Sequence, residues 1–325
     1  MKNPIESFDR LQPGMVTVLG VPYDENSSFM KGPASAPPRI REVLNSGSMN
    51  LCSESGIDLG AEPRFHDLGD LNLSIGAATF EQIEKAITDL IERKVFVLSL
   101  GGDHAITYPI LKAYGKKYDK LSILHLDAHP DLYDEFEGNR YSHACPFARI
   151  MEDNLAGRLV QIGIRTMNPH QHAQAERFGV EVIDMQKWRS DTVLDLTGPV
   201  YLSLDMDVLD PAFAPGVSNH EPGGLSTRDV LQIIQGIHAP IVGADIVEFN
   251  PKRDSSGITA MAAAKFLKEI AARMVETGNW KLETGHSEPS PFCKGGLRGI
   301  FLIQPEFSNF SKSSGVQNRI KALSE

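Results

Sequence analysis

Seven short apolar runs, at 15–21, 94–100, 121–127, 158–164, 180–184, 200–206 and 241–247, alternate along this chain with helix-like stretches and no long linker. The helical stretches fall at 37–46, 79–93, 104–118, 143–155, 169–178, 227–238 and 259–277. Strands that alternate with helices pair in parallel, and helices then cover both faces of the sheet. The expected fold is therefore α/β, a single three-layer α/β/α domain with a mostly parallel central sheet. At 325 residues the chain is long enough to bury a large core in one such domain.

Two of the apolar runs end in dense carboxylates: His125-Leu126-Asp127-Ala128-His129-Pro130-Asp131 and Ser203-Leu204-Asp205-Met206-Asp207-Val208-Leu209-Asp210-Pro211. A strand sends alternate side chains to one face, so Asp127, His129 and Asp131 are expected to converge, as are Asp205 and Asp207. Carboxylates crowded against apolar surface repel one another and lose hydration unless cations neutralise them. An oxygen-rich set with a minority of imidazole suits Mn²⁺ or another borderline ion, and more than four ligands points to two ions sharing Asp residues. Turn-forming Asp and helix-capping His would account for one such cluster but not for two and a third. That third is Leu98-Ser99-Leu100-Gly101-Gly102-Asp103-His104, where the Gly pair is expected to let the backbone turn sharply and present His104 at the same rim. Ligands in parallel α/β sheets sit beyond the carboxyl ends of the strands, where all three segments fall.

Taken together, Gly101-Gly102-Asp103-His104, Asp127-Ala128-His129-Pro130-Asp131 and Ser203-Leu204-Asp205-Met206-Asp207 resemble the ureohydrolase family of arginases and agmatinases. The resemblance runs from about residue 16 to about 275. It takes in Gly20-Val21-Pro22-Tyr23-Asp24, Ala36-Pro37-Pro38-Arg39-Ile40-Arg41 and Gly243-Ala244-Asp245-Ile246-Val247-Glu248-Phe249-Asn250-Pro251. Within the family, Phe136-Glu137-Gly138-Asn139-Arg140-Tyr141-Ser142-His143-Ala144 and Ala214-Pro215-Gly216-Val217-Ser218 look most like the plant-type arginase branch.

The resemblance implies an arginase-like fold, two Mn²⁺ per chain, and hydrolysis of a small cationic guanidino substrate to urea and an amine. It implies one metal on His104, Asp127, Asp131 and Asp205 and the other on Asp127, His129, Asp205 and Asp207, with Asp127 and Asp205 bridging. His143 matches the family's proton-shuttling histidine, and Glu248 its carboxylate that pairs with the guanidinium. His125, Asp103, Asp210 and Asp245 are expected to support the site rather than to ligate. L-arginine is the favoured substrate and agmatine or another guanidino acid the alternative, with Asn139, Asn168, Ser218 and His220 as candidates for holding the far end. A single-zinc deacetylase-like enzyme would need fewer ligands, and a non-catalytic metal- or ligand-binding protein would not need both catalytic candidates. The family also implies a homo-oligomer, a trimer or hexamer.

A formal net charge of −10 leaves no basic stripe for nucleic acid. With no apolar run of membrane-spanning length and no basic and apolar leader at the amino terminus, the expectation is a cytoplasmic protein without membrane contact. Cys52, Cys145 and Cys293 form no close pair, and a buried, inert thiol is expected of Cys145. Residues 1–280 are expected to form the ureohydrolase domain. From 281 to 325 the composition turns to Ser, Gly, Pro and Lys, which reads as a loosely ordered tail around an apolar island at 297–303.

Overall fold

The computed structural model describes residues 10–74 and 76–278, all within one compact unit. The expected domain boundary near 280 and the tail, with Cys293, lie outside the described residues. Among the described residues eight strands run in the order β2-β1-β3-β8-β7-β4-β5-β6, and every neighbouring pair is parallel. They are β1 (Val16–Gly20), β2 (Phe65–Asp70), β3 (Phe96–Leu100), β4 (Ser122–Leu126), β5 (Arg158–Ile162), β6 (Glu181–Ile183), β7 (Val200–Asp205) and β8 (Ile241–Val247). β1, β3, β4, β7 and β8 are buried at every position, as strands covered on both faces must be.

Among the described residues seven α-helices supply the cover: α1 (Ala36–Asn45), α2 (Thr79–Glu92), α3 (Thr107–Lys117), α4 (Pro146–Glu152), α5 (Pro169–Phe178), α6 (Thr227–Gly236) and α7 (Ile258–Thr277). α1, α6 and α7 pack together, and α2 to α5 form a second group, which with the sheet makes three layers. In α2 the buried Ile83, Ile87, Leu90 and Ile91 recur at helical spacing and form its inner stripe. α7 is rich in Ala and buried along most of its length, a strong helix former whose small side chains allow close packing. No helix among the described residues is long and apolar enough to cross a membrane.

Three departures from the sequence expectation have physical causes. β2 was not expected, because Phe65-His66-Asp67-Leu68-Gly69-Asp70 lacks apolar alternation. It is an edge strand whose buried Asp67 is held by Arg41 of α1 at 2.9 and 3.0 Å, with Asp70 paired to the same guanidinium. α3 and α4 begin three residues later than expected, so His104 and His143 sit ahead of their helices rather than on them. The third concerns the Gly pair, which is a matter of space and not of unusual backbone angles, since neither Gly101 nor Gly102 has a positive φ.

A Cβ on Gly102 would lie 1.7 Å from the carbonyl oxygen of Tyr23, the oxygen that accepts from Asp103 N–H at 2.9 Å. Gly102→Ala must therefore push the 21–24 segment off the end of β3. A loss of at least about 3 kcal/mol in urea unfolding is expected; wild-type stability would mean that this contact yields freely.

Candidate active site

Four adjacent central strands, β3, β8, β7 and β4, deliver the chemistry at their carboxyl ends. His104 follows β3, Glu248 follows β8, Asp205 ends β7 and Asp127 follows β4. Leu126 pairs with Leu204 in register, which brings Asp127 alongside Asp205. The residues beyond converge by loop geometry and not by the strand pleat expected from the sequence. Asp205 caps a 3-10 turn at Met206–Val208, accepting from Asp207 N–H at 2.7 Å. Asp131 reaches the site at φ 50 and Glu248 at φ 62, left-handed conformations that non-glycine residues adopt at a cost and that cluster at functional sites.

All six proposed ligands come together. The Nδ1 of His104 lies 3.1 Å from Asp127 Oδ2, 3.1 Å from Asp131 Oδ2 and 3.2 Å from Asp205 Oδ2, yet it is buried without a hydrogen-bond partner. Asp127, His129 and Asp207 form the adjoining cluster, with His129 Nδ1 at 3.0 Å from Asp207 Oδ2 and 3.5 Å from Asp127 Oδ1. Donor atoms about 3 Å apart match the edges of an octahedron with bonds of roughly 2.1 Å, the geometry of small divalent cations. Carboxylate oxygen with a minority of imidazole nitrogen suits a hard or borderline ion. The residues therefore fit a pair of divalent metals.

Electrostatics without the ions gives the same picture. Burial pushes the Asp205 carboxyl well above its usual range, and repulsion from Asp207 and Asp127 adds to the rise. Asp207 is raised by burial and by Asp127. Burial opposes a charge on His129, but Asp207 and Asp127 more than offset it and lift the ring to about 12. The carboxylates thus hold protons on neighbouring rings where cations would sit.

His125, close enough to Asp127 to be a ligand, is fully engaged elsewhere. Its Nδ1 faces the Gln161 amide nitrogen at 3.0 Å, so that nitrogen accepts and Nε2–H donates to Asp127 Oδ2 at 2.7 Å. Stacked on Phe147 at 3.8 Å between centroids, it orients a ligand without being one.

His143 and Glu248, the two catalytic candidates, are in direct contact, Nδ1 to Oε1 at 2.8 Å. The same Oε1 accepts from His104 N–H at 2.9 Å. Burial disfavours a charged His143 ring, but Glu248 outweighs it and raises the imidazole to about 9. On the far side of the ring Nε2 meets Ser28 Oγ at 2.8 Å, and the backbone N–H of His143 donates to Asn26 O at 3.1 Å. The loop carrying Asn26 and Ser28 is pinned by buried Asp103, which accepts from Asn26 N–H at 3.0 Å and Ser27 Oγ at 3.2 Å. Ser28 was missed, since one hydroxyl in a Ser-Ser pair carries no local signal.

A cavity of about 400 Å³ opens over this cluster, walled by His129, Asp131, His143, Asp205, Asp207 and Glu248 and, outward, by Tyr133, Thr166 and Asn219. The four far-end candidates are placed otherwise. Asn139 holds the loop, with Nδ2 on Asn26 Oδ1 at 3.0 Å and Oδ1 on Tyr141 N at 2.9 Å. Asn168 caps α5 and donates to Tyr133 OH at 2.7 Å. Neither lines the cavity. Ser218 and His220 line an adjoining recess with Phe29, His129, Asn219 and Arg253. Cys145 is buried, its thiol raised to about 12 chiefly by burial, as an inert cysteine should be.

Comparison with known proteins settles what this constellation belongs to. The family model described as the arginase family matches residues 15–272. The chain belongs to the arginase family. It is 47% identical over 275 residues to the mitochondrial arginase 1 of Arabidopsis thaliana, across 79% of this chain and 80% of that one. An agmatinase of Bacillus cereus is 35% identical over 277 residues, across 82% and 94%. The arginase structure from Medicago truncatula superposes with a TM-score of 0.75 at 41% identity, covering 80% of this chain and 87% of its own.

The cytoplasmic expectation is overturned here. The Arabidopsis relative is named as mitochondrial, and the features on which the expectation rested speak only to secretion and membrane spanning. Organellar transit segments are amphipathic and Arg-rich, so looking for an apolar leader does not separate these compartments.

Proposed function

We propose that this family member is a manganese-dependent hydrolase that converts L-arginine to L-ornithine and urea. The observation that carries the reading is the bare Nδ1 of His104 ringed by three carboxylates, next to the His143–Glu248 pair. His104, Asp127, Asp131 and Asp205 would hold one ion and Asp127, His129, Asp205 and Asp207 the other. When bound, such a pair supplies a water made nucleophilic near neutral pH. Four aspartates balance two divalent ions, so the remaining anionic groups of the cavity favour a cation such as guanidinium.

The chain's own groups do the rest. Glu248 has Oε1 occupied by His104 N–H and His143 Nδ1, and Oε2 has no hydrogen bond among the described residues. That oxygen is available to a guanidinium N–H, which would fix the planar group against the metal ligands. Once a water oxygen has bonded to the guanidinium carbon, the carbon–nitrogen bond breaks, a proton from His143 goes to the departing amine, and the carbon keeps the oxygen as urea. A family trimer or hexamer is part of the reading.

Arginine is favoured over agmatine by the relatives' identities and by the outer wall. Tyr133, Thr166 and Asn219 are neutral hydrogen-bonding groups, and half-buried Arg253 in the adjoining recess provides a cation suited to an α-carboxylate. Elemental analysis of active protein is expected to give about two metals per chain on the two-metal model. On one manganese-loaded preparation, kcat/KM for L-arginine is expected to exceed that for agmatine and for 4-guanidinobutyrate by at least about tenfold, or ~1.4 kcal/mol in transition-state binding. Equal or better turnover of agmatine would make this an agmatinase on the same machinery. Full activity with one zinc would refute the two-metal reading.

A further inference from the structure

Asp245, fully buried on β8, has no ion pair among the described residues and instead accepts three hydroxyls. Tyr201 donates to Oδ2 at 2.7 Å, Thr107 to Oδ2 at 2.8 Å and Ser203 to Oδ1 at 2.7 Å. A hydroxyl has one proton, and Ser203 spends it on Asp245. Its oxygen can then only accept from the other neighbour, His104 Nε2, at 3.0 Å. A neutral His104, the form that can ligate, must then carry its hydrogen on Nε2, which leaves Nδ1 with a lone pair aimed among Asp127, Asp131 and Asp205.

We propose that Ser203, oriented by Asp245, is the positioning residue that locks His104 in the one tautomer able to bind a metal. Were the Ser203 hydroxyl free, it could donate to Nε2 and let the proton settle on Nδ1, where it blocks the lone pair. Metal-ligating histidines commonly have their second nitrogen held by a carboxylate or carbonyl. Here the carboxylate acts one residue removed, through a hydroxyl. The inference rests on the metal-centre reading above and is independent of which guanidino compound is the substrate.

The test is metal binding by the full chain, with Mn²⁺ titrated by calorimetry and retained metal counted after dialysis. Ser203→Ala is expected to weaken the ion on the His104 side by on the order of ten- to a hundredfold. The His129–Asp207 side should keep its ion. Dialysed protein would then hold about one manganese, and its electron paramagnetic resonance spectrum would change from a coupled pair to an isolated six-line ion.

Asp245→Asn is expected to act in the same direction. Two donors at the Oδ2 position draw the amide oxygen there, so the amide nitrogen faces Ser203 and turns that hydroxyl onto His104. It also carries the comparison should Ser203→Ala fail to fold. Tyr201→Phe removes one donor to Asp245 but keeps the ring in the core and leaves the Ser203 bond intact, so its manganese affinity should stay within about twofold of the wild type. Unchanged manganese affinity in both Ser203→Ala and Asp245→Asn would overturn the relay, as would equal weakening by Tyr201→Phe, which would mark a packing effect. A wild-type chain that binds no manganese would defeat the metal-centre reading instead.

Discussion

Asp205→Ala is expected to lose both metals and turnover together. Asp205 stands between the two clusters, with Oδ2 3.2 Å from His104 Nδ1 and Oδ1 held by Asp207 N–H at 2.7 Å. As a bridge it would serve both ions, so its removal opens both coordination shells at once. A residual metal content well below one per chain and a fall in urea release of more than about a thousandfold are expected, since a bound metal contributes several kcal/mol to such a transition state. The effect on the metal-free fold should have the opposite sign. Burial, and then repulsion from Asp207 and Asp127, raises the Asp205 carboxyl well above the usual range. Deleting it relieves buried like charges, so the metal-free variant should melt no lower than the metal-free wild type. Only the rise in Tm on adding Mn²⁺ should vanish, because that rise reflects binding to the folded state alone. A variant that kept two ions and its turnover would remove Asp205 from the centre.

The cluster of proposed ligands was legible because its members follow buried strands, and a run of apolar residues ending in Asp is a local pattern. Seven of the eight strands were legible for the same reason. β2 was not, since its buried Asp67 depends on Arg41 from another element. The means of convergence was also misread, because Asp131 turns in through a positive φ that no sequence period encodes. The outer wall was least legible. Asn139 and Asn168 are polar residues in the right loops, but one is used to hold the Asn26 segment and the other to cap α5. Conversely, Ser28 enters the site only because Asp103, 75 residues away, fixes the backbone beside it. Tertiary hydrogen bonds of this kind leave no mark on the neighbouring sequence.

His143→Ala separates the proton path from the metal cage. His143 is fixed by Glu248 on Nδ1, Ser28 on Nε2 and Asn26 on its backbone, and none of these is a proposed ligand. The variant should therefore bind about two manganese ions like the wild type, as the two-metal model requires. Its kcat should fall by on the order of ten- to a thousandfold, the usual contribution of a positioned general acid. KM for the guanidino substrate should change little or fall. Glu248, whose carboxyl is lowered by His143 against the opposing effect of burial, loses its cationic partner and becomes a stronger attractor for the substrate's charge. A Glu248→Gln variant should behave differently, with kcat reduced and KM raised, because it loses both the guanidinium contact and the anchor of the His143 ring. Steady-state kinetics with parallel metal analysis reads all of these. If metal content collapsed in His143→Ala, the ring would be part of the cage and not the proton donor; if kcat held at the wild-type value, the leaving amine would take its proton from elsewhere.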